Sequence, residues 1–296
     1  MIKESKMSFS IVTDTSAKLP VEFVREHGIT VIPFSFYIDG VENTCTDTEG
    51  FDGKEYYNMI REGKVVTTSQ ITPARYIEYM SPILEAGQDV LFICLSSGVS
   101  GAYSSSNLAA RELMEKYPER KVITVDSLGA SLGEGLLSVY AAEDRAGGKS
   151  IEETAEHLNS VIPKMNQLFT VDDLKYLRRS GSISGSTAVV GSVLNIKPML
   201  VGNEEGKIVS FAKVRGRKKA VKELARLYAE RVVDGENQII GISHADCLEE
   251  AQELARMVNE ACAPKQILMV CHEPATGSHV GPGMLAVYFL GNDRDV

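Results

Sequence analysis

Three short stretches of this sequence bring together side chains suited to holding an anion or moving a proton. Thr68-Ser69-Gln70 follows the run Val65-Val66-Thr67 and precedes Pro73, a residue favoured in the first turn of a helix. Ser96-Ser97-Gly98-Val99-Ser100-Gly101 follows six apolar residues, Val90–Leu95. A strand-to-helix turn there is expected to present backbone N–H groups, short hydroxyls and the positive end of a helix dipole, which together suit a carboxylate or a phosphate. Gly277–Gly283 sets four Gly or Pro positions around His279, which reads as a constrained loop whose imidazole can donate to an anion or carry a proton. Taken singly, Thr68 or Ser100 reads as an ordinary helix N-cap. Taken together, strand ends of one parallel sheet deliver their residues to a common crevice.

Other motifs compete for attention. Gly129-Ala-Ser131-Leu-Gly133 matches the G-x-S-x-G nucleophile elbow, and His279 follows it in a suitable chain order, so a serine hydrolase using Ser131 and His279 is the rival reading. Against it, Asp126-Ser127-Leu128 intervene between the strand and the serine, and no HGGG-type oxyanion motif is present. Gly148-Lys149-Ser150 resembles the tail of a P-loop, but Glu143 stands where the first glycine is required, so Gly147-Gly148 reads as a helix stop. His244, Cys247, Cys271 and His272 do not have the spacing of a metal site, and no metal is expected. The basic clusters Arg178-Arg179 and Lys213–Lys219, with Arg215 and Arg217, read either as solvated faces or as contacts for an acidic or phosphorylated partner.

The bulk numbers bound these options. The chain has 296 residues, 44% hydrophobic and 24% charged, with net charge −9, so nucleic acid is not expected as a partner. No apolar run reaches the ~18 residues of a transmembrane helix, and Met1–Ser10 has no apolar core of a secretion signal. Five cysteines are expected as reduced thiols, which with the missing signal points to the cytoplasm.

The elements that must position these residues alternate strand and helix in the first half. Strands are expected at Phe9–Thr13, Ile29–Tyr37, Val90–Leu95 and Lys121–Val125. Helices are expected at Pro20–His27, Gly53–Glu62, Pro73–Ala86, Ala102–Met114 and Gly133–Arg145. After a helix at Ile151–Ile162 come short strands at Asn166–Val171, Ile196–Val201 and Ile208–Lys213, the last two joined by Asn203-Glu204-Glu205-Gly206. Helices at Lys218–Val232 and Cys247–Asn259 frame a strand at Gln238–Ser243, and strands at Ile267–Cys271 and Met284–Leu290 complete the set. The expected architecture is α/β in two domains. Residues 8–163 form a mainly parallel sheet with flanking helices, and residues 164–296 form an α+β domain with a mixed or antiparallel sheet.

Read together and in order, several segments resemble the DegV family, bacterial fatty-acid-binding proteins that serve as lipid-carrying subunits of fatty acid kinase. They are Ile11–Asp14, Thr68–Gln70, Leu95–Gly101, Val125–Ser127 with Gly133, Leu174–Leu177, Leu194–Pro198, Gly216–Ala220 and Gly277–Gly283. The resemblance implies a long-chain fatty acid buried between two domains, with its carboxylate held by Thr68, Ser100 and His279. Ser69, Ser97, Gly98 and Gly101 would support the head-group turn. It further implies a separate ATP-dependent kinase subunit as partner, with Arg179, Arg215 and Arg217 as contacts, and no nucleotide site or cofactor on this chain. One departure stands out: Ser180-Gly-Ser182-Ile183 replaces a Gly-Gly-Arg-Ile segment common in the family. Either Arg179 substitutes for that arginine, or this member binds lipid without feeding a kinase.

Overall fold

The computed structural model describes residues 9–47, 50–183 and 195–294. Ser8 and Val296, the expected outer ends of the two domains, and Leu194, the start of one family-like segment, lie outside them.

A run of apolar residues with no polar alternation can only be accommodated in a strand covered on both faces. That holds for Val90–Cys94, all buried, and the six residues of β1 (Phe9–Asp14), polar ones included, are buried as well. After β1 come α1 (Val21–Glu26), β2 (Thr30–Ile32), β3 (Ser35–Ile38), β4 (Val41–Thr44), α2 (Gly53–Arg61), β5 (Val66–Ser69) and α3 (Pro73–Glu85). Next are β6 (Asp89–Cys94), α4 (Ala102–Lys116), β7 (Val122–Asp126), α5 (Leu132–Ala146) and α6 (Ile151–Val161). The first sheet is parallel, in the order β2-β1-β6-β7.

The single strand expected over Ile29–Tyr37 is two strands. β2 ends at Ile32; Pro33 has no N–H to continue a ladder, and β3 restarts at Ser35 in a separate antiparallel sheet of order β4-β3-β5. Thr68 and Ser69 belong to β5 of this small sheet, with Thr68 opposite Phe36.

The second half contributes β8 (Met165–Thr170), α7 (Lys175–Arg179), β9 (Ile196–Gly202), β10 (Ile208–Arg215), α8 (Arg217–Arg231), β11 (Ile239–His244), α9 (Leu248–Cys262), β12 (Gln266–Cys271), α10 (Pro274–Val280) and β13 (Leu285–Leu290). Its six-stranded sheet runs β10-β9-β8-β13-β11-β12, antiparallel except for the β11–β12 pair. This mixed sheet beside a parallel one is the α/β architecture expected. α8 and α9 pack together with this sheet, while α5 touches strands of both large sheets. The larger apolar core accordingly runs from Phe9 through Leu136 to Tyr288, and a second core lies beneath α8 and α9.

Candidate functional site

The segment expected as a loop around His279 is a helix. Pro274 opens α10 without losing a needed N–H, and Glu273 caps it by accepting from the Ala275 and Thr276 amides at 2.5 and 2.8 Å. Gly281, at φ +75°, ends it. His279 therefore stands on the last helical turn, a firmer mount than a loop. Its Nε2 lies 2.8 Å from Thr68 Oγ1 on β5, and its Nδ1 lies 3.4 Å from Ser182 Oγ. Ser182 in turn is 2.8 Å from Ser180 Oγ. Burial lowers the basicity of His279 and the Arg179 and Lys18 charges act the same way, with Glu273 opposing. At neutral pH the ring is uncharged, with one N–H donor and one lone pair.

The Ser96–Gly101 turn differs from expectation in a specific way: most of its amides are already engaged within the protein. Ser97 N donates to Asp126 Oδ1 at 3.0 Å and Gly98 N to Ser96 Oγ at 3.0 Å. The Val99 and Ser100 amides both donate to Ser96 O, and Ala102 N donates to Ser100 Oγ at 3.1 Å. Ser96 Oγ donates to Gly206 O at 2.8 Å, fastening the turn to the hairpin between β9 and β10. Gly98 is required for that contact, because a Cβ there would lie 2.5 Å from Glu205 O. A Cβ at Gly101 would lie 2.4 Å from Gln70 Oε1. These residues use their groups to hold the architecture, not to cradle an anion. Ser100 is the exception: its oxygen accepts from Ala102, and its hydrogen has no acceptor among the described residues.

Thr68, Ser69, Ser100 and His279 line one cavity of about 120 Å³, together with Gln70, Ser182, His272, Thr276 and apolar walls from Leu95, Leu177, Ile208 and Val280. Ser97, Gly98 and Gly101, expected as its supporting turn, do not line it. A second cavity of about 70 Å³ shares Val99, Ala130, Ile208, His272 and Val280 with the first and continues to Ser131, Gln167 and Tyr288. The two adjoin across this shared wall, and taken together they outline an apolar channel whose Thr68–His279 end is the more polar. A larger concavity, about 830 Å³, is a groove along α2 that shares no residue with the channel. Thr276 and His272 were not anticipated from sequence as members of the site. Gln70 closes one of the candidate stretches, and the family likeness sets Ser182 at the place of an arginine near the head group.

The rival pairing of Ser131 with His279 is not formed. Ser131 has φ +57°, as an elbow serine would, but it is 2% exposed and its Oγ donates to Ser243 Oγ at 3.2 Å. Ser243 lies 3.1 Å from both His272 Nε2 and Tyr288 OH, a closed interior network. The P-loop-like segment is a helix stop and a cap, with Gly148 at φ +86° and Ser150 in a capping box with Glu153.

The three arginines expected as partner contacts have different fates. Arg215 is exposed at the end of β10, and Arg179 is exposed with its guanidinium 5.4 Å from the Tyr176 ring centre. Arg217 is held by Glu250 Oε2 at 2.9 and 2.6 Å from its Nε and NH2, joining α8 to α9. It is not a free docking cation. The five cysteines are unpaired.

The fold and site define a class: an α/β protein with a mostly apolar channel lined from both halves of the chain, its polar end carrying hydroxyls and an uncharged imidazole. The chain belongs to the DegV family, described as "Uncharacterised protein, DegV family", whose profile matches residues 8–292. A DegV domain-containing protein of Clostridium perfringens is 40% identical over 287 residues, which cover 97% of this chain and 99% of that one. Among solved structures, a fatty-acid-binding DegV family protein from Thermus thermophilus superposes with a TM-score of 0.86 at 28% identity, covering 96% and 100% of the two chains. A DegV lipid-binding protein from Thermotoga maritima gives 0.85 at 27%, covering 98% and 100%. DegV from Bacillus subtilis, described as a fatty acid binding protein, gives 0.82 at 28%, covering 97% and 100%.

Proposed function

We propose that this protein binds a long-chain fatty acid, with the acyl chain in the channel between two domains, 8–163 and 164–296, and the carboxyl end at Thr68, Ser100 and His279. The observation that carries this reading is the convergence of those three side chains at the polar end of an otherwise apolar channel, in a chain similar to solved proteins described as fatty-acid binders. Burial supplies the driving force. At about 0.8 kcal/mol per methylene, a chain of about fifteen outweighs ordering and the partial desolvation of one head group. The cavities of about 120 and 70 Å³ fall short of the ~300 Å³ usual for a small-molecule pocket. Entry of the chain therefore requires wall side chains such as Leu177, Ile208 and Val280 to turn aside.

The same reading makes the protein a carrier and not an enzyme, with no cofactor of its own, presenting the carboxyl group to a separate ATP-dependent kinase subunit in the cytoplasm. Arg179 and Arg215 remain as exposed cations for that contact; Arg217 is withdrawn from it by Glu250. No helix among the described residues is long and apolar enough to cross a membrane. The test is native mass spectrometry of the protein as purified, with extraction and identification of the released lipid. About one fatty acid per chain is expected. An empty protein that also has esterase activity abolished by Ser131→Ala would overturn the proposal.

A further inference from the structure

The polar end of the channel contains no charged side chain among the described residues. Its polar lining is hydroxyl, amide and imidazole, chiefly Thr68, Ser100, Ser182, Thr276, His272 and His279. The nearby charges are committed elsewhere or lie outside the lining. Lys18 on the turn after β1 is bound to Glu273 at 2.9 Å and also donates to Thr276 Oγ1 behind the lining; both charged side chains are essentially inaccessible. Thr276 Oγ1 donates to the same carboxylate at 2.7 Å. On α7, Arg179 is exposed above Tyr176, and Arg178 does not line the channel. From α2, Tyr56 donates to Pro274 O, and burial raises its phenol far above the ordinary range. The sequence of residues 184–194 has no ionisable side chain.

Most backbone amides of the Ser96–Gly101 turn, the usual substitute for a counter-ion, are also engaged. Those of Ser97, Gly98, Val99, Ser100 and Ala102 all donate within the protein. A buried carboxylate facing only neutral hydroxyls is unfavourable, and such a group takes up a proton instead. A protonated carboxyl offers one donor and one acceptor, which the Ser100 hydroxyl and the Thr68–His279 pair can match.

We infer that the channel takes its acyl ligand with a net-neutral head group: a fatty acid enters together with one proton, held on its own carboxyl group, and a fatty primary amide of equal length binds at the same place. This rests on the fatty-acid reading and goes beyond it by assigning the protonation state and the tolerated head-group class. Burial lowers the basicity of both His272 and His279, which favours their neutral rings, so the dependence on pH is assigned to the ligand's carboxyl group.

The test measures Kd for palmitic acid, kept monomeric, and for palmitamide between pH 6.5 and 8.5, with proton uptake from calorimetry in two buffers of different ionisation enthalpy. The acid is expected to weaken about tenfold per pH unit with about one proton taken up, while the amide is insensitive to pH. In Ser182→Arg, which sets a cation beside His279, the acid's pH dependence is expected to flatten. A pH-independent Kd for the acid, no proton uptake and no binding of the amide would overturn the inference while leaving fatty-acid binding intact. Failure of both ligands at every pH would overturn the fatty-acid reading along with it.

Discussion

At the scale of single residues, the site depends on hydroxyls whose partners are already counted. Thr68 Oγ1 is paired with His279 Nε2, and Ser100 Oγ accepts from Ala102 N while retaining its own hydrogen. Thr68→Val keeps the shape and removes the hydroxyl, leaving a half-buried imidazole nitrogen and the ligand's carboxyl short of a partner. An unsatisfied group of this kind costs about 1–3 kcal/mol, so fatty acid binding is expected to weaken by about 5- to 150-fold in Thr68→Val and in Ser100→Ala. Equilibrium binding measurements on the delipidated protein check this, and unchanged constants in both variants would remove these residues from the site. Thr68, Ser100 and His279 were legible in the sequence because their types and their places beside strand ends limit what they can do. Thr276 and His272 were not, because their membership depends on where α10 docks. Nor could the sequence show that the amides of the Ser96–Gly101 turn are spent on Asp126 and Ser96.

At the scale of elements, the turn before α4 and the β9–β10 hairpin hold the channel's two sides together. Gly98 lets Glu205 and Gly206 approach, and Ser96 Oγ ties to Gly206 O at 2.8 Å. Gly98→Ala places a methyl 2.5 Å from a backbone oxygen that can move only with the hairpin. Overpacking against backbone costs about 1–3 kcal/mol, so a lower melting temperature and faster loss of bound lipid are expected together. Calorimetric melting and a dissociation assay measure both, and a variant unchanged in either would mean that the hairpin contact does not shape the channel. Most strands and helices could be read from apolar runs and helical spacing to within a residue or two. The errors fell where a local signal had two outcomes. Pro33 divides an apolar run into strands of two sheets, and glycines around His279 read as a loop although Glu273 and Pro274 start a helix there.

At the scale of the whole molecule, the two halves meet over buried polar groups as well as apolar ones. Lys18 pairs with Glu273 across 255 residues of sequence, and Ser131 Oγ donates to Ser243 Oγ at 3.2 Å. His272 is fully enclosed and burial holds its ring well below the usual pKa, so the folded protein resists protonating it. A depressed pKa gives stability that is present above the unfolded value of about 6.5 and is lost as pH falls toward the folded one. His272→Gln is therefore expected to reduce the acid-side slope of unfolding free energy below pH 6.5 by up to one proton, about 1.4 kcal/mol per pH unit. Asp14 acts in the opposite sense, since its carboxyl is pushed up to about 6 by burial. Its contribution is present below about 3.9 and lost as pH rises through 6, and it is common to both proteins. Urea titrations of the two proteins at pH 7, 6 and 5 isolate the histidine term, and parallel slopes would contradict it. The packing of distant segments that creates this interior also sets the width of the acyl channel, which is why pocket shape could not be read from the sequence. The most direct test of the account is native mass spectrometry of the purified protein followed by lipid extraction. The account predicts about one fatty acid per chain, its retention reduced when Thr68 and Ser100 are both replaced. A protein that carries no acyl ligand and takes up none when offered a long-chain fatty acid would contradict it.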